Sequence, residues 1–161
     1  MIRPILHLGD AILRQHAALV TDVDEVRQLA ADLTHTMRSV GGLGLAANQV
    51  GVAKRVCVIE GASRDGKQPT AITLINPELL EWSGKQDGWE SCLSIPGSRV
   101  RVRRARRIVV QALDLAGERR RYIAEKFEAR TMQHEIDHLS GILIIDQSSK
   151  LRLQHGGTRG R

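Results

Sequence analysis

The spacing of apolar residues predicts two helices. Between Asp22 and Gly41, apolar side chains recur every three or four positions, which places them on one face of a helix spanning about 23–40. Asp22 and Glu25 have the spacing of a capping box at its start, and Gly41 suits its C-terminal cap. A second helix is predicted over 125–140, where a glycine follows.

Short runs of β-branched and aliphatic residues predict strands between the two helices. These runs lie at 50–59, 71–76, 100–102, 108–113 and 121–123. A polar turn over 61–69 separates the first two runs, and Gly117 marks the turn of a hairpin between the last two. The order of one helix, several short strands and a second helix predicts an α+β fold.

The length of the chain fits one domain. A chain of 161 residues can bury a core without disulfides or a structural metal, and it contains no internal repeat or linker. We therefore expect a single catalytic domain over 1–146. From position 147 the chain is polar, basic and glycine-containing, so 147–161 is predicted to be a frayed basic tail.

Cysteine content and the first residues bear on the compartment. Cys57 and Cys92 are too few and too far apart for the disulfide framework of a secreted protein. Charged and polar residues interrupt the first 20 positions, so we expect neither a signal peptide nor a membrane span. These features favour a protein of the reducing cytoplasm.

The net charge of +6 is concentrated in arginines between positions 99 and 121. Such a stretch could meet an acidic surface such as RNA, or it could be a solvated sheet face. Because only 2% of the residues are aromatic, few side chains are available to stack on bases. Nucleic-acid binding is therefore not expected to be the main function.

The segment Gln133-His134-Glu135-Ile136-Asp137-His138 has the H-E-x-x-H pattern. Residues at i and i+4 share a helical face, so His134 and His138 can bind one metal ion while Glu135 lies beside them as a proton carrier. The alternative is a polar helix held by salt bridges.

A third metal ligand is expected upstream of this helix. Metalloproteases with the same helix usually take it from downstream, but Ile144 occupies the position of the third histidine and no glutamate follows Glu135. Cys92 is the best upstream candidate, because a thiolate with two imidazoles leaves one position open for water. Cys57 lies in an apolar run and is predicted to be a packing residue. The remaining histidines, for which the sequence shows no partners, are His7, His16, His35 and His155.

Three motifs together resemble those of the peptide deformylases. The family patterns G-x-G-L-A-A-x-Q, E-G-C-L-S and Q-H-E-x-D-H are matched at 42–49, 90–94 and 133–138, in the family order. The resemblance extends from about Ile5 to Asp146. One departure is Ser91, which stands where the family usually has glycine. A glycine there could serve an unusual backbone angle or the close approach of substrate.

The resemblance implies a fold, a reaction and a metal. The fold would place short antiparallel sheets around a central C-terminal helix that carries the metal motif, with an amphipathic helix near the N-terminus. The reaction would remove the formyl group from the N-formyl-methionine of new polypeptides and release formate. The ion would be Fe²⁺, as is typical of the family, although Zn²⁺, Ni²⁺ and Co²⁺ also suit the donors Cys92, His134 and His138.

The resemblance also implies roles for individual residues. Gln49 and the backbone N–H of Leu93 would donate hydrogen bonds to the developing oxyanion, and Glu135 would move the proton from water to the leaving amine. A pocket for the methionine side chain would be lined by Leu43, Gly44, Phe127, Arg130 and Thr131. The partners would be formylated nascent chains, with weak ribosome association through the basic surface and no membrane. The alternatives are a general metalloprotease or a non-catalytic protein that binds formyl peptides or ribosomes.

Overall fold

Both helices lie close to where the apolar periodicity predicts them. In the computed structural model, which describes residues 1–61 and 69–153, helix α1 spans Arg27–Ser39 and helix α2 spans Lys126–His138. A short 3₁₀ turn, Asp24–Val26, precedes α1, and the Asp22 carboxylate accepts a hydrogen bond from the Asp24 backbone N–H at 2.9 Å. Apolar periodicity therefore locates the helices, whereas the exact ends depend on local capping.

The described residues form eight strands. They are β1 (Gly44–Ala46), β2 (Val56–Glu60), β3 (Ala71–Ser83), β4 (Gln86–Cys92), β5 (Ile95–Arg104), β6 (Arg107–Leu113), β7 (Arg119–Glu125) and β8 (Ser148–Leu153). One antiparallel sheet has the order β1-β2-β3-β6-β7, and a second has the order β4-β5-β8. The expected α+β fold with short antiparallel sheets is therefore confirmed.

The first sheet is covered by a helix on each face. Along β2, Cys57 and Ile59 pack with residues of α2, while Val56 and Val58 pack with residues of α1. This alternation follows from the two-residue period of a strand, and it explains why β2 reads as a continuous apolar run. Cys57 is completely buried there, in agreement with its predicted packing role.

The strand predicted over 50–59 is shorter in the structure. Residues Ala47–Val50 form a 3₁₀ helix instead, and Gly51 ends it with a φ of 82°. Conversely, β3 continues past the predicted end to Ser83, and β4 was not predicted at all. The sequence of β4 is mostly polar and contains a glycine, because its buried side chains belong to a charged site rather than to an apolar core.

The C-terminal segment differs from the expected frayed tail. Residues Ser148–Leu153 form β8, which pairs antiparallel with β5. Without β8, one edge of β5 would carry unpaired backbone groups, and the alternation of leucine with lysine and arginine in this segment suits a strand that covers this edge. Residues 154–161, the rest of the predicted tail, and 62–68, within the predicted turn, lie outside the described residues.

In the part of the chain that the structure describes, neither helix is long and apolar enough to cross a membrane.

Gly141 ends α2 in a position that only glycine fits. Its φ is +71°, and a Cβ there would lie 2.5 Å from the backbone oxygen of Arg14. We expect Gly141→Ala to lower the free energy of unfolding by roughly 3 kcal/mol or more, because it adds a backbone clash to the cost of a left-handed conformation.

Gly97→Ala is the matched control for Gly141→Ala, measured by urea unfolding. Gly97 has a similar φ of +73°, but a Cβ there would meet nothing within 4 Å. It should lose only about 1–2 kcal/mol, the cost of the conformation alone. Equal losses in the two variants would contradict the clash.

Candidate metal centre and active site

The structure brings the three predicted metal ligands together. His134 and His138 project from the same face of α2, and their Nε2 atoms lie 3.2 Å apart. Cys92 ends β4, and its Sγ lies 3.3 Å from His138 Nε2. The three donor atoms all lie within 4.8 Å of one another, and all three side chains are largely buried. Cys57 is not part of this cluster.

The donor set fits a transition-metal ion. One sulfur and two imidazole nitrogens suit Zn²⁺, Fe²⁺ and similar ions, and three protein ligands are the number found at catalytic sites. Burial opposes the charged form of His134, but hydrogen bonds to Cys92 and Glu90 raise the pKa of its imidazole to about 10. Burial, together with the charge of His134, lowers the pKa of His138 well below its ordinary value. The neighbouring carboxylate of Glu90 therefore favours positive charge at the cluster.

Glu90 positions the first histidine ligand. Its Oε2 accepts a hydrogen bond from His134 Nδ1 at 3.0 Å, which turns the Nε2 of that ring toward Cys92 and His138. Glu90 is buried, but hydrogen bonds from His134 and Arg104 hold the pKa of its carboxyl well below its ordinary value despite that burial. A permanently ionised carboxylate therefore stands behind the metal ligands.

Two buried arginines balance the charge of Glu90. Arg104 on β5 donates from Nε at 2.9 Å and from Nη2 at 3.0 Å, a two-point contact with both carboxylate oxygens. Arg130 on α2 donates from Nη1 to Glu90 Oε1 at 2.7 Å and to the Val102 backbone oxygen, and from Nη2 to the Gln86 backbone oxygen. The predicted role of Arg130 in the pocket is thus accompanied by a structural role of its guanidinium.

Glu90 and Arg104 are site residues that were not predicted from the sequence. Alternation along a strand places residue 90 on the same face as Cys92, so the pattern of β4 could have indicated Glu90. Arg104 had a weaker signal, since it continues the buried face of Val100 and Val102. Its guanidinium also pairs with Asp137 on α2. Asn48 was missed as well; its side-chain amide donates a hydrogen bond to the backbone oxygen of His138.

Glu135 follows the ligand His134 on α2 and lies beside the cluster. It is buried, and its Oε2 has no hydrogen-bond partner among the described residues. Burial raises the pKa of this carboxyl to about 7. A Cβ at Gly44 would lie 2.4 Å from Glu135 Oε1, so only glycine allows β1 to pass this close. Backbone therefore packs directly against one side of this carboxylate, while Glu135 also lines a cavity.

Gln49 is oriented by contacts at both ends of its amide. Its Oε1 accepts a hydrogen bond from the Ala46 backbone N–H at 2.9 Å, so its NH₂ group faces the cluster. That NH₂ donates to Ser94 Oγ at 3.1 Å and lies 3.8 Å from Cys92 Sγ. Leu93 lies in the two-residue turn between β4 and β5. Both predicted oxyanion donors thus border the cluster.

A cavity of about 460 Å³ opens onto these residues. Its size is within the range of small-ligand sites. The predicted pocket residues all line it, namely Leu43, Gly44, Phe127, Arg130 and Thr131. Leu43 is 48% exposed and Phe127 is 61% exposed, so both lie at the cavity wall and not in the apolar core.

Ser91 lies in the cavity wall with an exposed side chain. Asn76 and Lys126 are the non-glycine residues with positive φ in the described chain, so Ser91 adopts a backbone conformation open to any residue. The departure from the family motif at this position therefore adds a side chain to the cavity wall without backbone strain. Trp89 also lines this cavity, whereas Trp82 borders a separate groove.

Comparisons with known proteins agree on one family. A family model described as polypeptide deformylase matches residues 2–154. The peptide deformylase of Dictyoglomus thermophilum is 46% identical over 149 residues, which cover 92% of this chain and 94% of the relative. The peptide deformylase of Thermomicrobium roseum is 47% identical over 150 residues, which cover 91% of this chain and 85% of the relative.

Solved structures show the same fold. A class I type b peptide deformylase from Acinetobacter baumannii with Met-Ala-Ser bound has a TM-score of 0.84 and 35% identity, covering 91% of this chain and 98% of the other. The peptide deformylase of Thermotoga maritima has a TM-score of 0.83 and 37% identity, covering 93% of this chain and 99% of the other. Sequence identity and fold similarity to peptide deformylases therefore both extend along nearly the whole chain.

The two cysteines offer a test of the ligand set. Cys92→Ala should lose most of the bound metal, because it removes one of three donors. Cys57→Ala should keep its metal and lose only about 1–3 kcal/mol of unfolding free energy through a packing defect. Metal content by mass spectrometry and urea unfolding measure the two effects. Full metal occupancy in Cys92→Ala would overturn the assignment.

Proposed function

The chain belongs to the peptide deformylase family, and we propose that the family's reaction takes place at the centre formed by Cys92, His134 and His138. The protein is a metal-dependent hydrolase that removes the formyl group from the N-terminal N-formyl-methionine of new polypeptides and releases formate. The convergence of the three donor atoms beside Glu135, within a cavity, is the observation that carries this assignment.

We propose Fe²⁺ as the native ion, held by Cys92, His134 and His138, with Zn²⁺, Ni²⁺ and Co²⁺ as other ions that the same donors suit. When bound there, a divalent ion supplies Lewis acidity and lowers the pKa of water toward neutrality. The hydrogen bond from His134 Nδ1 to Glu90 supports this role, since it fixes the ring in the orientation that a ligand needs.

Glu135 is the proposed proton carrier. Its carboxylate accepts a proton as water attacks the formyl carbon, and it then gives that proton to the leaving amine nitrogen as the carbon–nitrogen bond breaks. The pKa of about 7 supports this role, because a group that must both accept and release a proton near neutrality works best there. Formate and a free N-terminus are the products.

Gln49 and Leu93 are the proposed oxyanion donors. The Gln49 NH₂ group and the Leu93 backbone N–H would donate hydrogen bonds to the formyl oxygen as it gains negative charge. Such a donor, fixed before the reaction, is worth about 3–4 kcal/mol to the transition state. The hydrogen bond from the Ala46 N–H to Gln49 Oε1 supports this role, since it fixes which end of the amide faces the cluster.

The methionine side chain is proposed to contact Leu43, Gly44, Phe127, Thr131 and the methylene stem of Arg130. Apolar walls favour a flexible thioether, and these residues line the cavity that leads to Glu135. The Acinetobacter baumannii neighbour with Met-Ala-Ser bound supports a peptide of this kind as ligand. We also propose that 1–146 form one catalytic domain, whose second sheet is extended by β8, and that the protein acts in the cytoplasm, where new chains emerge.

The proton transfer can be tested with Glu135→Gln, which keeps the side-chain volume beside Gly44. We expect kcat for formate release from formyl-Met-Ala-Ser to fall by about 10²–10⁴-fold, the usual contribution of a positioned acid or base, while metal content stays equal. Glu125→Gln, an exposed change next to α2, is the control and should keep full activity. Equal rates in wild type and Glu135→Gln would refute the role, and no release by metal-replete wild type would refute the enzyme.

We propose in addition that the basic strands associate weakly with ribosomal RNA. Three exposed arginines alternate with buried valines along β5, and three more begin β7. Between 50 and 200 mM salt, the dissociation constant for ribosomes should rise roughly ten-fold or more, since each neutralised phosphate releases counterions. Binding that ignores salt, or no binding at low salt, would remove this role. Residues 154–161, the rest of the basic tail, lie outside the described residues.

A further inference from the structure

The two proposed oxyanion donors belong to separate parts of the chain. Gln49 lies in the 3₁₀ helix Ala47–Val50, whereas Leu93 lies in the turn between β4 and β5. A side-chain contact joins the two parts, because the Gln49 NH₂ group donates a hydrogen bond to Ser94 Oγ at 3.1 Å. Both donors must point at one formyl oxygen, so their separation depends on how the 3₁₀ helix and the turn are held together.

The segment 3–10 connects the same two parts through its backbone. The backbone N–H of Leu6 donates to the Gln49 backbone oxygen at 2.8 Å. The backbone N–H of Leu8 donates to the Ser94 backbone oxygen, also at 2.8 Å. Gln49 and Ser94 are both buried. Two donors that lie two residues apart on one segment therefore hold the 3₁₀ helix and the turn side by side.

The segment 3–10 is anchored at its start to α1. Arg3 donates from its backbone N–H to Thr36 Oγ1 and from its Nε to Asp32 Oδ2, each at 2.9 Å. Asp32 is buried, and it also accepts a hydrogen bond from Gln28 Nε2 at 2.9 Å. A buried carboxylate retains its partners, since an unpaired charge there is costly. This anchor lies on a different element from the metal ligands.

A tight turn fixes the other end of the segment. The Asp10 N–H donates to the His7 backbone oxygen at 3.0 Å, and the Asp10 carboxylate accepts a hydrogen bond from the His7 N–H at 3.0 Å. Leu8 is the second residue of this turn, and Gly9 is the third, with a φ of +115°. Proline is common at the second position of turns whose third residue has positive φ. The Leu8 N–H is therefore presented to Ser94 by the turn.

Leu115 occupies the same position in another turn. The Gly117 N–H donates to the Asp114 backbone oxygen at 3.0 Å, which makes Leu115 the second residue of the turn between β6 and β7. Among the described residues, the backbone N–H of Leu115 donates no hydrogen bond. Leu8 and Leu115 thus differ in whether the N–H at this position holds another part of the chain.

We infer that Leu6 and Leu8 are positioning residues for the reaction, because their backbone N–H groups hold together the two parts of the chain that carry the oxyanion donors. The inference rests on the proposed function, since it takes Gln49 and the Leu93 N–H to be those donors. Neither Leu6 nor Leu8 is among the residues that line the cavity. They act through the groups that they hold and do not touch the substrate.

The experiment uses Leu8→Pro as the test variant. Proline removes the N–H that donates to Ser94 and puts a ring carbon in its place, while the turn itself suits proline. Leu115→Pro is the matched control, because it makes the same change at the same turn position without a hydrogen bond to lose. Each change is made in the wild-type chain and in Gln49→Ala. We would measure kcat and KM for formate release from formyl-Met-Ala-Ser at equal metal content.

In the wild-type chain, we expect Leu8→Pro to lower kcat by about 10–100-fold and to leave KM within about three-fold, since a misplaced donor loses transition-state stabilisation and little substrate binding. Leu115→Pro should keep kcat within about two-fold. In Gln49→Ala, Leu8→Pro should lower kcat further by only about three-fold or less, because one of the donors that it positions is already absent. A merely structural role would lower kcat by the same factor in both backgrounds.

Gly9→Ala is a second variant that decides the question alone if Leu8→Pro does not fold. A Cβ at Gly9 would meet nothing within 4 Å, so alanine strains the turn through its φ without a clash and without removing an N–H. We expect kcat to fall by about three- to ten-fold at unchanged KM, and by less in Gln49→Ala. Gly117→Ala is its control, since Gly117 also has a positive φ, in the turn between β6 and β7.

Several outcomes would overturn the inference. Unchanged kcat in the folded variants would show that the segment does not position the donors. Equal losses of kcat in the wild-type and Gln49→Ala backgrounds, or a change confined to KM, would show that it acts on something else. If Gln49→Ala alone keeps full kcat, the proposed role of Gln49 as an oxyanion donor is wrong, and this inference fails with it. Absence of formate release by metal-replete wild type would overturn the proposed function as a whole.

Discussion

The arrangement of the site depends on one buried carboxylate and the cations that surround it. Glu90 on β4 contacts Arg104 on β5 and both Arg130 and His134 on α2. Removing one partner of a buried ion pair leaves an uncompensated charge and typically costs about 3–5 kcal/mol. The second sheet is therefore held to α2 in one relative position. Because Cys92 follows Glu90 by two residues, that position is also the one that brings the thiol to the two histidines.

Glu135 on α2 lies in an environment that differs from that of Glu90. Where Glu90 accepts hydrogen bonds from Arg104, Arg130 and His134, Glu135 is buried against the backbone of β1 at Gly44, and its Oε2 has no hydrogen-bond partner among the described residues. Ion pairing lowers the pKa of the first carboxyl, and burial raises that of the second to about 7. Two glutamates near one cluster thus differ in proton affinity because of their neighbours, one remaining ionised and the other suited to exchange protons.

The sequence predicted those parts of the structure in which a periodic pattern reflects an apolar core. Helix α1, helix α2 and β2 bury apolar faces, so their residues show the periods of a helix or a buried strand. Strand β4 was missed because the side chains that it turns inward, Glu90 and Cys92, serve the site. The same reason applies to Arg104, which looks like its exposed neighbours in sequence but is buried through ion pairs that only the fold creates.

Buried and exposed charges differ in what they require of the second sheet. Behind the metal ligands, Glu90, Arg104 and Arg130 are buried, so each needs a partner supplied by the protein itself. On the outer face of β5, Arg99 and Arg103 are exposed, and a hydrated charge needs no such partner. Changes in charge behind the ligands would therefore disturb stability and chemistry together, because the same contacts orient the metal ligands. Changes on the outer face leave those contacts intact, so the surface charge can vary while the reaction stays the same.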